Sequence, residues 1–209
     1  WRRHWGISST FVYITHEDGN ANRGIEGDSH KGATDTPVSA PKLANFTILP
    51  GTDIANASGD KGEGILLRVA TAGELYNVLV QGRKGTTAET ESGECLELDG
   101  SYAGLVDNVN SKTLTMSHSI IDCNEPFKYS SDNAATADAV NVETWFMGQE
   151  GNSTAAVTIT DGMPAATDTT LLGKGKDLST DDSFFESTNF IGAFDGQNDW
   201  RQGWAYFPQ

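Results

Sequence analysis

No run of eighteen apolar residues occurs in the 209-residue chain, so no stretch of it has the composition of a membrane-spanning helix. Basic residues are scarce as well. Fourteen Lys and Arg face 29 Asp and Glu, a net charge of −15, which argues against nucleic acid or an anionic membrane surface as partner. Such a field suits solubility, and it suits divalent cations. Only two cysteines are present, Cys95 and Cys123, and with no histidine pair nearby they do not make a zinc site. His4, His16, His30 and His118 are scattered without metal-ligand spacing. Gly173-Lys-Gly-Lys176 lacks the flanking strand and helix of a phosphate loop, and no Gly-x-Ser-x-Gly elbow exists. Helix signals are sparse too; the best candidate, 134–146, is short and carries Asn and β-branched residues.

What is there is strand and turn. The apolar fraction of 37% is low for a compact globule, and 23 glycines push toward architectures with frequent corners. Four pairs of short strand-like segments recur at roughly three-dozen-residue intervals. The first members are Phe11-Val-Tyr-Ile14, Asn45-Phe-Thr-Ile-Leu49, Tyr76-Asn-Val-Leu-Val80 and Ser117-His-Ser-Ile-Ile121. Their more polar companions are Gly24-Ile-Glu-Gly-Asp28, Gly64-Ile-Leu-Leu-Arg68, Glu94-Cys-Leu-Glu-Leu-Asp99 and Phe127-Lys-Tyr-Ser-Ser131. One such unit cannot bury its apolar face alone, so the repetition predicts a solenoid.

The connections 27–41, 50–62, 81–93 and 99–112 are polar or Gly-rich and read as loops projecting from a regular stack. The pattern divides one continuous domain into coils over 1–147, a loop-rich excursion over 148–182 with one credible strand at Ala155–Thr160, and a terminal segment over 183–209. The chain's last stretch, from Asp181, holds 8 of its 19 aromatics, which predicts an aromatic cover for an open end of the solenoid. Three triplets, Asn45-Phe-Thr47, Asn56-Ala-Ser58 and Asn152-Ser-Thr154, fit the N-glycosylation pattern. Such triplets arise by chance, and Asn45 is instead a candidate for an asparagine ladder inside a corner.

Two stretches resemble a family of secreted bacterial proteins with a right-handed parallel β-helix, often described only as lipoproteins or multidomain surface proteins. The first runs from Gly19-Asn-Ala-Asn-Arg-Gly-Ile-Glu-Gly-Asp28 through Leu43–Ile48, Gly64–Arg68 and Tyr76–Val80 to Cys95–Asp99. The second is the ending, Ser183-Phe-Phe-Glu186 through Phe190-Ile-Gly-Ala-Phe194 to Asp199-Trp200 and Gly203-Trp204. The resemblance implies an all-β, right-handed parallel β-helix with long corner loops, secreted or on the outer surface of a Gram-negative-type bacterium. Trp1, Trp5-Gly6 and Phe11–Ile14 resemble a turn and strand from the middle of such proteins. The expectation is therefore a C-terminal half whose first coil stacks on an N-terminal part of the same chain or on a neighbouring subunit. A cytosolic chain would keep Cys95 and Cys123 as two buried thiols; an exported one would join them as a disulfide between adjacent coils, and the reading favours the disulfide. The family supplies no agreed catalytic residues to carry over.

In a parallel β-helix, like positions of successive coils stack about 4.8 Å apart. With side chains pointing outward, the companion strands bring Glu26, Asp28, Arg68, Glu97 and Asp99 to one face. Adjacent carboxylates repel unless a cation or an Arg lies between them. Calcium, with six to eight oxygen ligands, is the candidate cofactor for such a cluster. Calcium-dependent polysaccharide lyases of this fold use a similar arrangement, with an Arg or Lys as base. The simpler expectation is that Arg68 pairs with neighbouring acids on a solvated sheet. The functional expectation is accordingly a structural or binding module, with polysaccharide as the candidate ligand. A calcium-dependent lyase or hydrolase is the first alternative and a subunit of a surface assembly or filament the second.

Overall fold

A computed structural model describes residues 11–16, 23–30, 36–54, 61–132 and 140–203. The expectations for the Trp1–Gly6 turn, the Asn56 triplet and Trp204 lie outside the described residues. The strands β1 (Val12–Thr15), β2 (Arg23–Gly27), β3 (Lys42–Leu49), β4 (Glu63–Arg68), β5 (Gly73–Gln81), β6 (Leu96–Asp99), β7 (Leu114–Ser117), β8 (Ile120–Asp122) and β9 (Phe127–Ser130) alternate between two parallel sheets. Sheet A holds β1, β3, β5 and then β7 with β8; sheet B has the order β2-β4-β6-β9. Each predicted pair thus becomes one coil of a β-helix. Parallel pairing sets like residues one above another: Ile48, Val80 and Ile121 stack in sheet A, and Ile65, Leu96 and Phe127 in sheet B. Strand β4 is almost wholly buried, as expected where both faces of a parallel strand are covered.

The strands of sheet A share a bend. Asn45, Asn77 and His118 occupy one register position and all have positive φ, at 58°, 54° and 49°. The left-handed conformation costs most side chains about 1–2 kcal/mol, and Asn tolerates it best after Gly. One such residue breaks the period-2 alternation, so Leu75 and Val78 both reach the interior cluster. In the fourth coil the same bend separates β7 from β8. Asn45 does join a ladder, with Asn77 Nδ2 donating to Asn45 Oδ1 at 3.2 Å.

The ladder binds the C-terminal segment. Asn45 Nδ2 donates to the carbonyls of Phe190 and Gly192, both at 3.0 Å. Asn77 Nδ2 donates to the Lys176 carbonyl at 2.9 Å, and Asn77 Oδ1 accepts the Lys176 N–H at 2.8 Å. Beyond the bend, Tyr13, Thr47, Leu79 and Ile120 form one outward column. Phe194 packs edge-on against Tyr13, Thr47 Oγ1 accepts the Ala193 N–H at 2.8 Å, and Ile191 joins Leu79, Ile120, Val157 and Leu171 in a second core. Gly192 (φ 91°) crosses so close to Thr47 that a Cβ there would collide with its hydroxyl. The described C-terminal aromatics Phe190 and Phe194, expected over an open end, therefore lie across the outer face of sheet A as a strap. Val157 and Leu171 share the cover of that column.

Helix α2 (Val142–Met147) covers the interior at the fourth coil, through Val142 and Phe146 with Phe146 5.3 Å from the Phe127 ring. Its N-cap is Asn141, which accepts the Thr144 N–H at 2.7 Å. A second helix, α1 (Leu105–Asn110), corrects the loop expected over 99–112. Leu105 and Val109, four residues apart, bury on one side, and Asn108 Nδ2 ties the helix to the carbonyls of Ala70 and Thr71. The strand expected over Ala155–Thr160 shortens to β10 (Ile159–Thr160), paired with β11 (Met163–Pro164). Cys95 and Cys123 form a disulfide with Cα atoms 6.3 Å apart, within the usual range. It staples the corner where the chain leaves sheet A and enters sheet B. Among the described residues, no helix is long and apolar enough to cross a membrane.

Candidate functional site on the outer face of sheet B

The companion strands place all five predicted residues on sheet B. Glu26 and Glu97 flank Leu66 in one register row that continues to Lys128, and Arg68, Asp99 and Ser130 form the row two positions on. Asp28, just past the end of β2, extends this second row. Arg68 is the hub. Its Nε donates to Asp28 Oδ1 at 2.7 Å, and its Nη2 to Asp28 Oδ2 at 3.1 Å and Glu26 Oε1 at 2.5 Å. This is a two-pronged contact of the kind that makes Arg–carboxylate pairs specific. The Asp28 bond raises the Arg68 pKa above its already high value; burial opposes it, and the charges of Asp28, Glu26 and Asp99 add to the rise. Asp99 itself accepts the Ser101 N–H at 2.8 Å.

Glu97 belongs to a second knot, next along the sheet. It is 6% exposed, accepts Ser130 Oγ at 2.5 Å and lies 3.4 Å from Lys128 Nζ. Lys128 also reaches Glu94 Oε1 at 2.5 Å. The oxygens of Glu63, Glu94 and Glu97 come within 4.8 Å of one another. Glu63 is met by Arg23 Nε at 2.7 Å, a close ion pair, while Arg23 Nη1 lies 3.8 Å from Glu26 and so links the two knots. Burial raises the Glu63 pKa; Glu94 and Glu97 push the same way, and Arg23 only partly offsets them. For Glu94, burial acts upward, but the Lys128 bond, a backbone N–H and the charges of Lys128 and Lys61 together lower it. For Lys128, burial acts downward and is overcome by Glu94, Glu97 and Glu63, so its pKa is raised.

Of the predicted residues, then, Glu26, Asp28 and Arg68 converge, Asp99 flanks them along the row, and Glu97 sits with Lys128. Arg23, Glu63, Glu94 and Lys128 escaped prediction. Lys128 was legible, because aligning the companion strands on Ile65, Leu96 and Phe127 puts it level with Glu97. Glu63 is the first residue of β4 and Glu94 lies two before β6, at strand entries ahead of each apolar run. Chemically, the face is a ladder of ion pairs in which carboxylates outnumber the cations Arg23, Arg68 and Lys128. Glu63, Glu94 and Glu97 are the residues that could hold a divalent cation, and Arg23 and Lys128 already deliver positive charge to them. A base that abstracts protons needs a lowered pKa. Arg68 and Lys128 are shifted the other way.

A family model described as a pectate-lyase-like β-helix domain matches residues 1–205, and the chain belongs to that family. No curated protein and no solved structure gives a significant match.

Proposed function

We propose that this member of the pectate-lyase-like β-helix family is an extracellular or cell-surface structural and binding module whose ligand is polysaccharide. One observation carries the reading: Arg68 and Lys128, the bases at the centre of the sheet B face, are each held by two carboxylates. Such a surface presents a regular row of charged hydrogen-bonding groups to a polyol, and the two bases are held as cations rather than poised to take a carbon-bound proton. The disulfide between adjacent coils supports an oxidising compartment, as on a bacterial surface or outside the cell. The right-handed coil sense is the one this family resemblance implies and fits the near-universal hand of parallel crossovers.

The lyase alternative draws its support from the clustered carboxylates Glu63, Glu94 and Glu97, where calcium would displace Arg23 and Lys128. One experiment separates the two. The full chain is incubated with neutral and acidic polysaccharides, with calcium and with chelator, and both retention in affinity electrophoresis and formation of unsaturated sugar ends are followed. Retention without new unsaturated or reducing ends is expected. Calcium-dependent product formation lost in Arg68→Ala would replace the binding reading by the enzymatic one.

A further inference from the structure

A cleft of 410 Å3 opens on the other side of the molecule, between the β10–β11 hairpin and the end of the strap. Its size lies within the range of about 300–1,000 Å3 usual for small-molecule sites. Its lining is Thr158, Thr160, Asp161, β11 (Met163–Pro164) with Ala165 after it, and Asp199 with Arg201.

The walls are rigid for reasons visible in the sequence. Asp161-Gly162 is the two-residue connection of the hairpin, and both residues have positive φ, 49° and 84°, the signature of the type I′ turn that Asp-Gly favours. Gly162 sits against the Tyr13 ring with no room for a Cβ. Arg201, 7% exposed, pins the hairpin to the strap: Nη1 donates to the Asp161 carbonyl at 2.8 Å, and Nε and Nη2 grip Asp199 at 2.7 and 3.0 Å. Its guanidinium also lies 4.9 Å from the Tyr13 ring centre and 4.6 Å from that of Phe194. None of these hydrogen bonds uses the Asp161 carboxylate or the two threonine hydroxyls, although the Asp161 charge acts on Arg201 and Tyr13. Thr158 and Thr160, two apart and both exposed, put their hydroxyls on one side of the strand, next to Asp161 and the apolar edge of Met163 and Pro164.

We infer that this cleft binds a single sugar ring without a carboxylate. Hydroxyl acceptors and donors beside a short apolar strip match a pyranose, which carries hydroxyls at its edge and C–H groups on its face. The cleft's two carboxylates and the chain's net charge of −15 select against a uronate. The assignment stands on the cleft alone and does not depend on the role of sheet B.

The test is calorimetric and saturation-transfer titration of the full chain with xylo-, cello- and malto-oligosaccharides, and with oligogalacturonate as the acidic comparator. At least one neutral series binds and the galacturonate does not. Thr160→Ala with Asp161→Asn, which keeps an αL-tolerant residue in the turn, weakens that binding at least about tenfold. Thr158→Ala, outside the hairpin pairing, weakens it by less. Unchanged affinity in both variants, preference for the galacturonate, or no neutral binding would each overturn the cleft assignment. Loss of binding in Arg68→Ala with wild-type affinity in the cleft variants would do so while upholding the sheet B reading.

Discussion

Sheets A and B are built from the same coils, yet their outer faces meet opposite fates. Past its bend, sheet A presents Tyr13, Thr47, Leu79 and Ile120, and the strap covers that column with Ile191, Gly192, Ala193 and Phe194. Sheet B presents Glu26, Asp28, Arg68, Glu97, Asp99 and Lys128 along its outer rows, where Arg68 pairs with Glu26 and Asp28, and Lys128 with Glu97. A parallel strand needs both faces satisfied. An apolar column recruits another part of the chain, and a charged one is satisfied in place and left open to a ligand. The lesson is that the alternate residues of the companion strands, more than the coil itself, decide which face can act.

Substitutions on each side sharpen the contrast. Asn77→Ala strips the Lys176 N–H and carbonyl of their partner and leaves a Cβ-bearing residue at positive φ, so a loss of about 4 kcal/mol is expected in urea unfolding. Asn77→Gly, which keeps the backbone freedom, should lose less, and equal losses would show that the ladder's hydrogen bonds carry all of the effect. Replacing Cys95 and Cys123 by Ser opens a loop with a sequence separation of 28. By chain entropy this costs about 3–4 kcal/mol, seen as a lower Tm with no change in strand content. Ile191→Ala should cost about 3 kcal/mol and raise binding of a hydrophobic dye, because it hollows the second core beneath the strap.

On sheet B the effects are smaller. Arg68→Ala should change stability by no more than about 1 kcal/mol, less still in high salt, because the pair is partly solvated. A loss like that of Ile191→Ala would mean the two faces are not different in kind. The last prediction concerns Glu63. Its pKa is raised by burial, so its contribution to stability is present below the unfolded value and is lost as pH rises through the folded one. Glu63→Gln should flatten the fall in stability over that window, just above the ordinary carboxylate range, measured by urea titration at a series of pH values. An unchanged slope would assign the titration to another group.

Much of this frame was legible. The four strand pairs follow from β-branched and aromatic runs bounded by Gly, Asn and Asp, and all four form paired strands of the two sheets. The Arg68 cluster followed from letting the companion strands point their polar side chains outward on one face. What was not legible has physical causes. Helix α1 is only six residues long, with Leu105, Val106 and Val109 as its apolar positions, and its N-cap is Gly104, so it has neither an extended stripe nor a side-chain cap. The strap's contacts with Asn45 span 145 and 147 residues of sequence, and no local pattern announces them. Glu63 opens β4 and Glu94 lies just before β6, both ahead of the apolar run by which each strand is recognised. The bend at Asn45 and Asn77 is a local signal in hindsight, since Asn inside an aliphatic strand is a poor strand former with few other uses there.

The Asn45-Phe-Thr47 triplet gives that bend a consequence for anyone producing the protein. Asn45 Nδ2 is committed to Phe190 and Gly192, and Thr47 Oγ1 to Ala193, so the folded chain hides the whole acceptor. Asn152 Nδ2 is committed likewise, to the carbonyls of Met116 and Phe146. In a host that glycosylates secreted chains, sugar transfer and strap closure therefore compete for one nitrogen atom. Occupancy at Asn45 becomes a clock: it records how long sheet A waits uncovered before the last part of the chain arrives.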